Sequence, residues 1–216
     1  MSLAWQATLF GATTTPSVDP TFAGITRVPL DATAWVDHLP GWLRAPDDVM
    51  DVLVRTAPWS TGDRPMYDRI VAIPRLSAWW RWHDGFPASV PPIVEEMRAA
   101  LSARYRVTFS SCGCNLYRDG NDSVAWHGDR ISDRIVDPNV AIVSVGEPRK
   151  LLLRPLTVAA PSGARRSLRF DLGHGDLLVM GGASQRTWQH AIPKVAAAGP
   201  RMSITFRHGM EGDPDG

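Results

Sequence analysis

From Tyr105 onward the chain breaks into short β-rich runs, RVTFSS, VAIVSVG, KLLLRPL, RSLRFDL, DLLVMGG and RMSITFR, punctuated by Gly, Pro, Asp or charged residues. A parallel βαβ sheet needs a helical stretch between each pair of strands, and these intervals are too short and too interrupted to supply one. Two facing antiparallel sheets remain. Ahead of the strands, residues 47–56 space Val49, Met50, Leu53 and Val54 for one helical face behind Pro46. Residues 92–105 repeat the pattern with Ile93, Val94, Met97, Ala100 and Leu101. Helices first and strands later predict an α+β fold, with helices against a strand core.

At 216 residues the chain can bury one good core, and length requires no second domain. The reading is a single catalytic domain over 1–216. It comprises an N-terminal extension at 1–104 with helices and a candidate recognition lid, a strand core at 105–208 and a tail at 209–216. Residues 1–30 are rich in Thr, Pro and Gly and are expected to wrap the surface or stay partly mobile. The net charge of +1 is too small for a strongly basic nucleic-acid surface, so any such contact must be local. The N-terminus lacks a basic start followed by a sustained apolar run, and no stretch is apolar enough to span a bilayer. A soluble, cytoplasmic monomer without a membrane partner is expected. Cys112 and Cys114, in SSCGCNLY, lack zinc-module spacing and sit too close to bridge readily, so they read as reduced, buried strand residues.

The chemistry concentrates in NLYRDGNDSVAWHGDR, WQHAIPK and RMSITFR. His127 and Asp129 are two apart, and alternate side chains of an extended strand point to one side. A later His190 completes a set of three. Two histidines and a carboxylate on one face of an octahedral ion leave three positions open, which suits Fe(II) binding a cosubstrate and dioxygen. The other histidines, His38, His83, His174 and His208, fit no ligand pattern. Arg201 and Arg207 stand an even number of residues apart in a β-prone run, so both guanidinium groups can face the same way. Their forked donors match carboxylates, and two suit a dicarboxylate. If the metal takes the 2-oxo acid end of 2-oxoglutarate, this clamp answers the need for a cation at the other end. Asn115 and Tyr117, again two apart, can add hydrogen bonds. Asp176, between Gly175 and an apolar run, reads as a turn residue whose carboxylate bonds nearby backbone.

Asn115-Leu116-Tyr117, His127-Gly128-Asp129, His190 and the run from Arg201 to Arg207 together resemble, in order and spacing, the signature of the AlkB family of Fe(II)/2-oxoglutarate dioxygenases. The likeness extends to PRLSAWW, VAIVSVGEPRKLLLRP and HGDLLVMGG and covers roughly the last two thirds of the chain. It implies a double-stranded β-helix, or jelly roll, with N-terminal helices, a nucleotide-recognition lid and iron between the sheets. It also implies His127, Asp129 and His190 as catalytic metal ligands, and Asn115, Tyr117, Arg201, Ser203, Thr205 and Arg207 as the 2-oxoglutarate site. The implied activity is oxidative dealkylation of N-alkylated nucleobases in DNA or RNA, at single-stranded or locally opened sites, with release of aldehyde, succinate and CO2. A 2-oxoglutarate oxygenase acting on a protein side chain or small molecule is the alternative.

A flipped base needs a ring to stack on, and Trp79, Trp80 and Trp82 with Tyr67 and Arg75 form an aromatic and basic cluster placed outside the strand core. The resemblance makes Trp79 or Trp80 the stacking residue, with Arg75 beside it, and leaves Trp82 structural. Arg149, Lys150, Arg154, Arg165, Arg166 and Arg169 are candidate phosphate contacts. Two departures from the family pattern bear on substrate. Ser203 stands where asparagine is common, and Arg130-Ile131 follow Asp129 where many relatives carry acidic residues.

Overall fold

In the computed structural model of the chain, the described residues are 15–66, 69–72, 74–82, 87, 89–129, 131–157 and 167–209, with residues 63–72 described by their backbone. The expectations on residues 1–14, Tyr67, His83, Arg130, Arg165, Arg166 and 210–216 lie outside them. The elements run β1 (Ser17–Val18), β2 (Thr26–Pro29), β3 (Ala34–Leu39), β4 (Leu43–Arg44), α1 (Pro46–Thr56), β5 (Asp63–Met66), β6 (Arg69–Ala72), β7 (Leu76–Arg81) and α2 (Pro92–Tyr105). They continue with β8 (Ser111–Tyr117), β9 (Val124–His127), β10 (Val140–Gly146), β11 (Arg149–Pro155), β12 (Leu168–Leu172), β13 (Asp176–Gly182), α3 (Ser184–Thr187), β14 (Trp188–Ile192) and β15 (Arg201–Arg207). A major sheet of seven strands, ordered β2-β3-β13-β10-β15-β8-β7, lies against a minor sheet of four, ordered β12-β11-β14-β9. Neighbours in both sheets pair antiparallel. The fold is a jelly roll.

The major sheet is covered on both faces, which explains why β10, β13 and β15 are buried at every residue. Strand geometry sends alternate residues to opposite sides. Val143, Val145, Val179, Met202, Ile204 and Phe206 pack against Val49, Met50 and Leu53 of α1 and Val94, Met97 and Leu101 of α2. The intervening Val140, Ile142, Leu178 and Met180 pack against Leu151, Leu153, Leu172 and Ile192 of the minor sheet. Each such aliphatic side chain stabilises the fold by roughly 1.5–3 kcal/mol. Packing also holds α1: Ala45 before it is left-handed and no side chain caps it, so its buried face supplies what a cap does not.

Three expectations are corrected. The strand core does not begin at residue 105, because β2 and β3 extend the major sheet from β13 and β7 forms its opposite edge. In AWVDHL the alternation that marks a half-buried strand is blurred by Asp37, which is buried because Arg27 Nε and Nη2 bind its two oxygens at 2.7 and 2.8 Å and Tyr105 Oη donates at 3.0 Å. Residues 106–110 of RVTFSS are not strand, since α2 ends on left-handed Arg106 and β8 starts at Ser111. The PRLSAWWRW segment is not outside the core: β7 pairs with β8 along its length. The helices over 47–56 and 92–105 and the buried, free Cys112 and Cys114 are as expected.

Candidate active site

Strands of both sheets line a cavity of about 630 Å³. The residues of β15 that line it are Arg201, Ser203, Thr205 and Arg207, as a period of two requires. Asn115 and Tyr117 of β8 line the same wall, with Asn115 opposite Ser203 and Tyr117 opposite Arg201 in the ladder. His127 ends β9, and His190 lies directly across from it on β14. The two imidazole rings are 4.2 Å apart between centroids.

His127, Asp129 and His190 form the one cluster of potential metal ligands among the described residues, with all ligand atoms within 4.8 Å of one another. Asp129 does not belong to the strand, however, and simple alternation does not bring it to the site. Its backbone N–H donates to Gln185 Oε1 at 3.1 Å, while Gly128 passes so close to the Gln185 carbonyl that a Cβ there would come within 3.3 Å. Gln185 is a residue that sequence reasoning missed; its one signal is that it precedes WQH in a polar turn. On the carboxylate, Arg207 Nε donates to Oδ1 at 2.7 Å, and Oδ2 is buried with no hydrogen-bond partner among the described residues. Burial opposes ionisation of Asp129, but the neighbouring charge of Arg207 outweighs it and holds the carboxyl below its ordinary range.

The histidines are set for ligation. The Ala125 carbonyl can only accept, so His127 Nδ1, 2.9 Å away, donates to it, which leaves Nε2 as the nitrogen available to a ligand. Burial pushes His190 down to about 3 despite the neighbouring Asp129, which keeps it neutral. Two imidazoles and an ionised, half-unsatisfied carboxylate fit a divalent ion such as Fe(II). The buried Asp129 oxygen is the atom that ion would satisfy.

Arg201 is 1% exposed. Its Nε donates to Ser144 Oγ at 3.2 Å, its guanidinium carbon lies 5.0 Å from the Tyr117 ring centroid, and one terminal nitrogen, Nη1, has no partner. It is therefore aimed into the cavity with donor capacity to spare, opposite the end where Arg207 is committed to Asp129. Asn115 Oδ1 accepts from Arg75 Nε at 2.8 Å and from Ser77 Oγ at 3.1 Å. Arg75 lines the cavity, but as a brace for Asn115 that also reaches the Ser123 carbonyl.

Parity on β7 separates the two candidate tryptophans. Trp79 faces the cavity, is 44% exposed and lies under Arg207, whose guanidinium carbon is 4.8 Å from its ring centroid. Its indole fills the space beside Gly113, directly across the ladder, where a Cβ would come within 3.0 Å. Trp80 points the other way: it is 4% exposed, packed in the helix-side core, and its Nε1 donates to Ser89. Its assignment to substrate is corrected. Trp82 is structural, tied to Glu95. Trp126 lines the cavity unanticipated, with Arg154 4.3 Å over its ring. Arg149 is also corrected as a phosphate contact, because it is buried. Arg169 is paired with Asp171. Asp176 behaves as a turn residue, accepting from the backbone of Gly41 and Gly173.

Residues 81–207 match the model of the 2OG-Fe(II) oxygenase superfamily. Alpha-ketoglutarate-dependent dioxygenase alkB homolog 3 of Bos taurus is 31% identical over 211 residues, covering 88% of this chain and 68% of that protein. The Homo sapiens protein of the same name is 29% identical over 213 residues with the same coverage. DNA oxidative demethylase ALKBH2 of Arabidopsis thaliana is 35% identical over 135 residues, covering 54% of this chain and 43% of the relative. The solved structure of OsALKBH1 superposes with a TM-score of 0.58 at 17% identity, over 80% of this chain and 97% of that one, a likeness of fold.

Proposed function

Because the chain belongs to the AlkB family of 2OG-Fe(II) oxygenases, and is thereby an Fe(II)- and 2-oxoglutarate-dependent dioxygenase, we propose that it oxidatively removes alkyl groups from the nitrogens of nucleobases in DNA or RNA. The observation that carries this reading is the division of Asp129: one oxygen held by Arg207, the other buried, without a hydrogen-bond partner among the described residues, and clustered with the ligand nitrogens of His127 and His190. His127, Asp129 and His190 would hold the ion. Fe(II) with 2-oxoglutarate and dioxygen supplies the oxidation, in which the cosubstrate leaves as succinate and CO2 and the N-alkyl carbon gains a hydroxyl. The resulting hemiaminal collapses to an aldehyde and the restored base, a step that needs no acid/base dyad.

The rest of the site binds, orients and excludes water. Arg201 and Tyr117 lie away from the ligand cluster and suit the distal carboxylate of 2-oxoglutarate, with Asn115, Ser203 and Thr205 along the wall. Arg207 holds the carboxylate ligand and bridges to the Trp79 ring. Trp79 is the stacking surface for an extruded base brought beside His127. Gly62 and Pro74 line the cavity on either side of the β5–β6 hairpin, which supports that hairpin as the recognition lid. Flipping costs least for damaged or unpaired bases, so single-stranded or opened sites are the favoured substrate.

No helix among the described residues is long and apolar enough to cross a membrane, and a monomer working in the cytoplasm completes the reading. A mass-spectrometric product screen over alkylated single- and double-stranded DNA, RNA, nucleosides and peptides tests it. Succinate formation coupled to a demethylated oligonucleotide is the expected result. Coupling to a peptide or small molecule alone would replace the nucleic-acid reading with the other oxygenase.

A further inference from the structure

Arg149 opens β11 and is 3% exposed, an unusual place for a charge that must be stripped of water. Among the described residues its guanidinium bonds carbonyls and not carboxylates: Nη1 to Asp119 O at 3.2 Å, and Nη2 to Asp122 O at 3.1 Å and Pro193 O at 2.6 Å. Its Nε is buried without a partner. Of the two aspartates whose carbonyls it meets, Asp122 has its carboxylate already engaged by both Nε and Nη2 of Arg118 at 2.8 and 2.9 Å.

Arg149 and Arg201 share one neighbour. Their guanidinium carbons lie 5.9 and 5.0 Å from the centroid of the Tyr117 ring, and Arg201 Nη1 is also buried without a partner. Burial, and then the proximity of Arg149, make Arg201 easier to deprotonate than an ordinary arginine. At the other end of the cavity Asp129 balances Arg207. Around Tyr117 lie two buried guanidinium groups to which no carboxylate is hydrogen-bonded among the described residues, although Asp122 and Asp119 act on Arg149 from a distance. Such an arrangement carries a desolvation cost only partly offset within the protein, which an incoming anion relieves further.

We propose that Arg149 is a specificity-determining residue for the cosubstrate: through space and through Tyr117, its charge makes the protein favour a 2-oxo acid with a second carboxylate over one without. This rests on the reading of Arg201 and Tyr117 as the distal carboxylate site. Arg149 acts without touching the cosubstrate. Its three carbonyl bonds keep it in place, and they also join the β8–β9 loop to the segment after β14. A purely structural staple would therefore affect every ligand of the cavity alike.

The test titrates Mn(II)-loaded protein without oxygen, by calorimetry, against 2-oxoglutarate and against pyruvate, which lacks the distal carboxylate. Wild type should prefer 2-oxoglutarate. Arg149→Gln should lose about tenfold or more in 2-oxoglutarate affinity while pyruvate changes by less than about twofold, and Arg149→Lys, which keeps the charge but not the fork, should keep most of the preference. Equal losses for both ligands, no loss in Arg149→Gln, or a lysine variant that behaves like the glutamine variant would overturn the proposal. If Arg149→Gln does not fold, the lysine variant decides alone: retained preference supports the charge, lost preference rejects it. A wild-type protein with no preference for 2-oxoglutarate would instead break the reading of Arg201 and Tyr117.

Discussion

Arg207 Nε meets Asp129 Oδ1 at 2.7 Å inside the cavity, and this contact gives the two carboxylate oxygens different tasks. The bonded oxygen fixes the side chain, and the buried, unpartnered Oδ2 is left to face the two histidines.

Alanine at His127, Asp129 or His190 should abolish turnover and greatly weaken metal binding, read by titration with Fe(II) or Mn(II). Asp129→Ala should in addition destabilise the metal-free protein by about 3–5 kcal/mol, because it strands the buried Arg207 charge. Denaturant unfolding of the metal-free variants checks this second effect, and full activity in Asp129→Ala would refute the ligand set.

Gln185 holds the backbone of Asp129 and touches no reacting atom. Gln185→Ala should lower metal affinity roughly 10- to 100-fold, the usual effect of losing a group that orients a ligand. A metal titration with unchanged affinity would show that the Arg207 contact suffices.

Arg201→Lys should raise the 2-oxoglutarate requirement about tenfold although charge is retained, since an ammonium cannot reproduce the bidentate fork. The measurement is the dependence of succinate formation on cosubstrate concentration; unchanged dependence in Arg201→Ala would remove Arg201 from the site.

Trp79→Ala and Trp80→Ala should fail in different ways. The first should lose ~1–3 kcal/mol of base binding while uncoupled 2-oxoglutarate turnover persists. The second should lose about 3–5 kcal/mol of stability, as truncating a buried tryptophan does, with little change in base affinity while folded. Oligonucleotide binding and thermal unfolding, measured on both, separate the two roles.

Asp176 gives a pH dependence. Burial opposes its ionisation, but the nearby His38, with Nε2 3.5 Å from Oδ2, and hydrogen bonds from the backbone N–H groups of Gly173 and Gly41 outweigh that and lower its pKa below the ordinary value of 3.8. The unfolded chain therefore binds the proton first, and the stability contributed by this carboxylate is present above about pH 4 and lost as pH falls through its lowered folded value. Asp176→Asn should be less stable than wild type at neutral pH, with the gap closing as pH falls below the ordinary carboxylate range. A gap independent of pH in acid unfolding would contradict this.

Much of the site was legible because strand periodicity is local. The spacing of Arg201, Ser203, Thr205 and Arg207 places them on one side of β15 in any fold that keeps the strand, and Asn115 and Tyr117 follow the same rule on β8. The strands at 140–146 and 176–182 were legible too, because cover on both faces made them nearly continuous apolar runs, whereas 201–207 was legible by its alternation. β3 was not, since the Asp37 that interrupts its pattern is neutralised by Arg27 and Tyr105, residues distant in sequence from one another.

The sequence by itself determined parity: that the four polar side chains of RMSITFR share a face, and that Trp79 and Trp80 cannot. Only the tertiary structure decided which face is which. β7 pairs on β8 so that Trp79 meets the cavity over Gly113 and Trp80 meets the helices. Gln185, 56 residues away, turns Asp129 toward the histidines, and Arg149 becomes an interior charge because β11 starts beneath the β8–β9 loop. A residue's direction along a strand follows from backbone geometry within a few positions, whereas its surroundings follow from pairings between segments that the chain brings together only on folding.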